Sequence, residues 1–259
     1  MADTAIQEVV EDGHELRMGF FEHLDELRYR LTRAVLSLIV GTTIGIFFAD
    51  RVLMLLQEPF CRIPSVSDCE LVILNPTGNI IIYFKVALLV GGILSIPMVT
   101  YQLLMFILPG LTRKEKRYVF LSIPATTVLF CVGVFFAWRI LMPPALGFLE
   151  GFQAEIFRPE WTADGYISFV TSLLFWMGVA FQTPLIFFLI SLLGLVSAGT
   201  LIRQWRIAIV GASIAAALIT PTIDPVNMFL VMAPLLALYS LSIVLVFFGR
   251  KISGVDRKD

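Results

Sequence analysis

The chain has 259 residues, of which 58% are hydrophobic and 15% are charged. Soluble domains carry about 45–50% apolar and about 25% charged residues, so this composition indicates a protein embedded in lipid and argues against a soluble one. The formal net charge of -1 gives no global attraction for nucleic acid, and no nucleic-acid partner is expected.

Six apolar stretches are candidates for helices across the hydrocarbon core, which is about 30 Å thick and takes roughly 20 helical residues to cross. The fifth has only 13 residues before Pro221 and reaches about 20 Å, so we expect a short helix there. A connector of 27 residues is predicted between the third and the fourth. In chain order the stretches are one from near Leu27, uncharged over 34–49; 86–108, beginning earlier near Asn79 and containing Pro97; 118–138; 166–195, interrupted by Pro184; 207–219; and 226–248, containing Pro234.

Lysine and arginine are distributed unevenly between the connections of these stretches. Fourteen of the 19 lie in the two termini and in the second-to-third and fourth-to-fifth loops, four lie in the opposite connections, and Lys85 stands at a membrane boundary as a snorkelling anchor. The positive-inside rule therefore predicts that both termini are cytoplasmic. Because backbone groups in lipid must be satisfied internally, we predict an all-α integral membrane protein with six transmembrane helices. It forms one polytopic domain over 1–259, with a cytoplasmic amphipathic segment over 1–33 and a cytoplasmic tail over 249–259.

The segment before the first span has apolar residues at helical spacing, and its charged residues fall mostly on other faces. This pattern predicts either an amphipathic helix at the cytoplasmic interface that continues into the first span, or a positively anchored start of that span. The apolar residues are Phe20, Leu24, Leu27 and Leu31, and the charged ones are Glu22, Asp25, Glu26 and Arg30.

The predicted cytoplasmic connection between the second and third spans, 108–117, contains four cations around Glu115. Thr112 and Glu115 have the spacing of a capping box, and the cations are typical topology determinants. If Glu115 faces the same cytoplasmic surface as Glu26, however, the two carboxylates offer a site for a cationic ligand. Arginine suits such a site because its planar fork pairs with carboxylates in bidentate fashion.

The first span contains a G-x-x-x-G pair, Gly41 and Gly45. Small residues at this spacing let another helix approach closely, either inside the same bundle or from a partner protein. Packing inside the bundle is the simpler interpretation.

Several short motifs then occur in a specific order along the chain. They are H-L-x-E-L-R-x-R at 23–30; Asn75-Pro76; a run with Pro97, Tyr101, Gln102, Phe106, Pro109, Gly110 and Leu111 that continues to Glu115, Lys116 and Arg117; F-Q-x-P at 181–184; and I-T-P-x-x-D-P at 219–225. With these motifs the chain resembles the TatC family, the multispanning receptor subunits of the twin-arginine protein translocase, over roughly residues 18–250.

The resemblance implies a subunit that binds the twin-arginine signal peptides of folded proteins in the bacterial cytoplasmic (inner) membrane. It also implies TatA/TatB-type single-span partners, a homo-oligomer within a receptor complex, and export driven by the proton-motive force. Carried over by residue, it makes Glu26 and Glu115 the carboxylates that meet the arginine pair, with Phe106 and Arg28 beside them. It assigns partner docking to Thr220, Pro221 and Asp224.

The chain departs from many members of the family at two positions, where Gln182 and Ser240 replace glutamate. An ionisable role is lost there, but Gln182 keeps a capacity for hydrogen bonding within the fourth span. Pro184 frees a backbone carbonyl about four residues upstream, near Ala180. Two interpretations follow: the amide bonds to backbone of its own bundle, or it faces the concave side and receives a polar group from a partner or signal.

Two cysteines, Cys61 and Cys69, lie in the first outward connection, whereas Cys131 lies in the third span. The predicted topology places the pair in the oxidising periplasm, where either a disulfide or two free thiols would fit. A disulfide would stiffen the connection without redox chemistry, because no C-x-x-C motif is present.

A small-solute or ion transporter is the alternative class, since it would also be polytopic and keep polar groups inside. It predicts pseudo-symmetric halves, and no internal repeat is visible. Enzymatic functions are not expected: the G-x-x-x-x-G-K phosphate loop of ATPases is absent. Both histidines, His14 and His23, precede the first span, so no membrane histidine can serve a haem, a metal or a serine nucleophile, and we expect no cofactor and no metal.

Overall fold

The structure is a computed structural model that describes residues 20–63, 69–107, 113–153, 160–192, 194–220 and 224–253. Apart from one isolated bridge, the regular structure in these ranges is helical, as predicted. The elements are α1 Phe20–Cys61, α2 Gly78–Ile107, α3 Arg113–Phe136, a π-helical turn Ala137–Leu141, α4 Met142–Gly151, α5 Ala163–Ala180, α6 Thr183–Leu192, α7 Ala198–Arg203, α8 Trp205–Ile219 and α9 Pro225–Ser253.

Five helical stretches among the described residues are long and apolar enough to cross a membrane. The shorter apolar helix α8 has 15 residues and, at 1.5 Å per residue, reaches about 22 Å, so the predicted short fifth helix is confirmed. The chain is therefore an integral membrane protein. The five stretches are Phe21–Cys61, Gly78–Phe106, Ile123–Gly151, Ala163–Leu192 and Pro225–Arg250.

The prediction of a 27-residue connector after the third span is wrong for its first part, up to Gly151, which is helical. The helix continues through the π-helical turn into α4 and ends only at Gly151. Pro143 and Pro144 are compatible with this path because they stand in the first turn of α4, where their missing N–H groups cost little. This extension packs against the core through the buried residues Ala137, Met142 and Leu146.

The fourth span is broken as its proline predicts. α5 ends at Ala180, a turn at Phe181 and Gln182 follows, and α6 begins at Thr183 with Pro184 in its first turn. A proline in the first helical turn leaves no intrahelical hydrogen bond unmade, which explains the restart at this position.

Helix α5 forms the centre of the bundle and contacts both α2 and α3. One face of it is closely packed in the core, with Ile167, Val170, Leu173, Leu174 and Met177 at most 3% exposed. Its start is fixed to the first connection, because Val72 N–H donates to the Trp161 carbonyl at 3.1 Å and Ala163 N–H to the Val72 carbonyl at 2.8 Å. The end of the bundle where α1 finishes and α5 starts is called the disulfide end below, and the opposite end the N-terminal end.

The G-x-x-x-G pair packs inside the bundle, as the simpler interpretation predicts. A Cβ atom at Gly41 would lie 2.7 Å from the carbonyl oxygen of Gly91 on α2, and one at Gly45 would meet the Ala87 carbonyl. The Tyr83 hydroxyl of α2 also donates to the Ile46 carbonyl of α1 at 2.6 Å. The first two long helices therefore approach each other at backbone distance.

Lys85 is partly exposed and pairs with side chains of α5, a contact that the snorkelling anchor expected from the sequence does not include. Its Nζ donates to Asp164 Oδ1 and to Ser168 Oγ, both at 2.7 Å, and so joins α2 to α5. Hydropathy alone does not indicate this pair because 79 residues separate the partners. A usable signal was present: the predicted topology brings the starts of the second and fourth spans to the same membrane boundary.

Candidate functional site

Glu26 is mostly buried at the N-terminal end, and only one of its carboxylate oxygens is bonded. Arg30, one helical turn later, donates to Oε1 from Nε at 2.9 Å and also from Nη2. The two side chains are 15% and 18% exposed. Oε2 is buried and accepts no hydrogen bond from the described residues. A buried acceptor left without a donor is costly, so this oxygen is the unusual feature of the site.

Phe106 lies at the same end of the bundle as Glu26. Its ring stacks on His23 with 4.4 Å between ring centroids and an interplanar angle of 18°. His23 and Glu26 are three residues apart on α1 and so share a face of that helix. His23 is not among the site residues predicted from the sequence; its position at the start of the H-L-x-E motif was the available signal.

The structure describes Arg28 fully, but of Glu115 it describes only the position in a helix. Arg28 is exposed and stands two residues from Glu26, which puts it on a different face of α1. Glu115 belongs to the first turn of α3, and this turn follows α2 after a short connection at the N-terminal end. The Glu115 side chain lies outside the described residues, so its distance from Glu26 stays a prediction.

The amide of Gln182 is bonded on one side only. Nε2 donates to the Thr126 carbonyl of α3 at 3.0 Å, so the backbone partner belongs to a neighbouring helix and is not the carbonyl near Ala180. Oε1 is buried and has no hydrogen-bond donor among the described residues. The bonded Nε2 agrees with the interpretation that the amide binds backbone of its own bundle, and the unbonded Oε1 agrees with the interpretation that it receives a polar group from a partner or signal.

Thr220 and Asp224 shape the turn between α8 and α9. Thr220 is buried and donates from Oγ1 to the Ala216 carbonyl at 2.8 Å. Asp224 accepts from the Asn227 N–H at 2.7 Å and from its Nδ2 at 3.0 Å, which makes it the N-cap of α9. Pro221 lies outside the described residues. These contacts give Thr220 and Asp224 a structural task, and their part in partner docking stays a prediction.

Cys61 and Cys69 form a disulfide, with their Cα atoms 5.0 Å apart. Gln57 Nε2 donates to the Cys69 carbonyl, so the same connection is held by α1 a second time. Cys131 is a free, exposed cysteine. Within the described ranges no group of three His, Cys, Asp or Glu side chains could hold a metal ion.

The disulfide predicts a simple pattern of thiol labelling. In non-reduced, unfolded protein we expect a maleimide to modify one cysteine, Cys131, and after reduction to modify all three, as read by intact mass. Cys131→Ser should remove the label from the non-reduced sample and thereby assign it. Labelling of all three cysteines before reduction would contradict the pairing.

Comparison with known proteins agrees with this architecture. The TatC family profile, described as Sec-independent protein translocase protein (TatC), matches residues 22–234. The Sec-independent protein translocase protein TatC of Synechocystis sp. is 34% identical over 92% of this chain and 91% of its own length. The chloroplastic protein TATC of Oryza sativa subsp. japonica is 36% identical over 90% of this chain and 63% of its own.

A solved structure has the same fold. The crystal structure described as the twin arginine translocase receptor TatC superposes with a TM-score of 0.79 at 35% identity, covering 88% of this chain and 99% of that one. On sequence and on structure alike, the chain belongs to the TatC family.

Proposed function

We propose that this protein is the signal-receptor subunit of a twin-arginine translocase. It binds the arginine pair of an export signal at the N-terminal end of the bundle. The observation that carries the proposal is the Glu26 carboxylate, which has one oxygen held by Arg30 and the other buried without a donor among the described residues.

The chemistry of this carboxylate favours arginine over other cations. A guanidinium offers parallel N–H donors in a rigid plane, whereas a lysine ammonium is a compact, strongly hydrated charge. An arginine of the signal would supply the donor that Oε2 lacks, and Glu115 would receive the second arginine of the pair. The stacked rings of His23 and Phe106 would exclude water on one side of the site.

An apolar groove between α1 and α2 supports the same function. It has a volume of about 460 Å³, and its lining includes Arg33, Ser37, Val40 and Leu94. Arg33 and Ser37 follow Glu26 by seven and eleven residues, so they lie on the same face of α1. The groove would therefore hold the apolar part of a signal whose arginines are bound at Glu26.

The orientation and assembly follow from the charges and from the family. We infer six transmembrane helices with both termini in the cytoplasm, since the basic residues gather at the N-terminal end. A bacterial cytoplasmic membrane, homo-oligomeric receptor complexes and the use of the proton-motive force belong to the same proposal. TatA/TatB-type single-span partners would dock near Thr220, Pro221 and Asp224.

The deciding experiment is crosslinking of a signal peptide to the membrane-inserted protein. A photoreactive residue at Val40, which lines the groove, should capture a peptide with an arginine pair and an apolar segment. The same peptide with a lysine pair should be captured far less. Equal capture of both peptides would contradict the proposal and leave the transporter alternative, which solute uptake in vesicles tests directly.

Gln182 gives a separate prediction for transport. Transport should survive Gln182→Glu, which keeps a polar, hydrogen-bonding side chain of the same length, and should fall in Gln182→Leu at equal expression, because leucine cannot bond to the Thr126 carbonyl. Such a bond is worth only about 0.6 kcal/mol on average in a membrane, so a clear loss would point to a partner beyond the fold. The matched control is Gln204→Leu, an exposed residue before α8.

The amount of the Gln182→Leu protein that accumulates in the membrane distinguishes the two interpretations of Gln182. If the leucine variant accumulates normally but transports poorly, the amide serves a partner or the signal. If it fails to accumulate, the amide serves the bundle alone. If it transports as well as the parent protein, the proposed role of Gln182 is wrong.

A further inference from the structure

A small charged pocket lies at the disulfide end, away from the signal site. The last turns of α1 contribute Glu58 and Arg62, the π-helical turn contributes Trp138 and Arg139, and α4 contributes Glu150. The cavity has a volume of about 150 Å³. π-Helical turns inside helices occur frequently at functional sites.

The pocket contains groups that lack partners. Glu58 and Arg62 form an ion pair with each other. Arg139 and Glu150 make no hydrogen bond or ion pair within the described ranges, so one cation and one anion remain. The Trp138 indole N–H is buried and has no acceptor there either. A buried N–H without an acceptor is uncommon in proteins, and this one belongs to a side chain that lines the pocket.

The pocket stands at the level of lipid headgroups. An uncharged stretch of 21 residues, 118–138, directly precedes Arg139, and as a helix it covers about 30 Å, the thickness of the hydrocarbon core. Trp138 is then at the membrane–water interface, where tryptophan is enriched. The ligand most available to this pocket is therefore a phospholipid.

We propose that this pocket binds the headgroup of a zwitterionic phospholipid with a primary ammonium group. The phosphate accepts from Arg139 and from the Trp138 indole N–H, and the ammonium donates to Glu150. An anionic headgroup without a cation leaves Glu150 unpaired, and a trimethylammonium group has no N–H to donate. Gly147 lines the same pocket, and a Cβ atom there would meet nothing within 4 Å, so the helix backbone leaves room for the headgroup.

Native mass spectrometry of the purified full chain with an equimolar mixture of phosphatidylethanolamine, phosphatidylcholine and phosphatidylglycerol tests this proposal. We expect one phosphatidylethanolamine to be retained about tenfold over the other two, the size of one charge-assisted hydrogen bond. Arg139→Gln should weaken retention of phosphatidylethanolamine and phosphatidylcholine alike. Glu150→Gln should remove the preference between them, since only the ammonium contact is lost.

Matched controls lie at the same end of the bundle. Arg51→Gln and Glu70→Gln each neutralise an exposed charge that does not line the pocket, and both should retain lipid as the parent protein does. Gly147→Leu keeps every charge but fills the open space, and should abolish retention. Soluble glycerophosphoethanolamine should not displace the lipid, because it lacks the acyl chains.

Three results would overturn the proposal. One is unchanged lipid retention in Arg139→Gln together with an unchanged preference for phosphatidylethanolamine over phosphatidylcholine in Glu150→Gln. Another is an equal loss in the Arg51→Gln control, which would indicate a general charge effect. The third is displacement by the soluble headgroup without selectivity among the lipids, which would assign the pocket to a small solute.

Discussion

Removing the carboxylate at Glu26 should weaken capture of a twin-arginine signal by roughly 30-fold or more, while the protein remains inserted. Loss of one partner from a desolvated charge pair costs about 2–5 kcal/mol, and this range sets the expected factor. Glu26→Ala and Glu115→Ala should each produce the effect in a crosslinking titration with the peptide. Unchanged crosslinking in the double variant would show that these carboxylates do not bind the signal.

The neighbouring acidic residue provides the control for this experiment. Asp25→Asn removes an exposed carboxylate beside Glu26, on a different face of α1, and should leave capture unchanged. If it weakens capture as much as Glu26→Ala, the effect comes from the overall charge of the N-terminal end. Glu26→Gln preserves the side-chain shape and should still weaken capture, because a neutral amide cannot form an ion pair with the arginine of the signal.

The membrane helices could be predicted from the sequence because hydropathy and proline act locally. The start of α2 near Asn79, the break at Pro184 and the short α8 each follow from a few adjacent residues. The extension to Gly151 could not be predicted in this way. Arg139 and the two prolines after it interrupt the apolar pattern, whereas the π-helical turn absorbs them within a continuous helical path.

The site residues also divide into those that the sequence indicates locally and those that depend on contacts between distant parts of the chain. The sequence points to Glu26 and Phe106 through the motifs of the family, and to Gln182 as a position where the chain departs from many of its members. The stacking of His23 on Phe106 and the bond from Gln182 to Thr126 join distant parts of the chain. Such contacts depend on how the helices pack, and helix packing in membranes is set by small residues whose partners the sequence does not name.

Gly91 is the small residue on which the largest structural effect is expected. Gly91→Leu should destabilise the protein by about 1–3 kcal/mol or more, because overpacking at this contact cannot be relieved by side-chain rotation. A Cβ atom at position 91 would lie 2.5 Å from the backbone nitrogen and 2.6 Å from the Cα atom of Thr42, so α1 and α2 would have to separate. The measurement is the midpoint of thermal loss of monodisperse protein in detergent.

Gly211→Leu is the control that separates the effect of a packing clash from the effect of added hydrophobicity on that midpoint. Gly211 is also in an apolar helix, α8, but a Cβ atom there would meet no heavy atom within 4 Å, so its variant should keep the parent midpoint. Leucine favours membrane insertion at both positions, and poor insertion therefore cannot account for a loss confined to Gly91→Leu. Equal midpoints for the two variants would mean that α1 and α2 do not approach at backbone distance, and the groove beside Glu26 would then lose the wall that α2 provides.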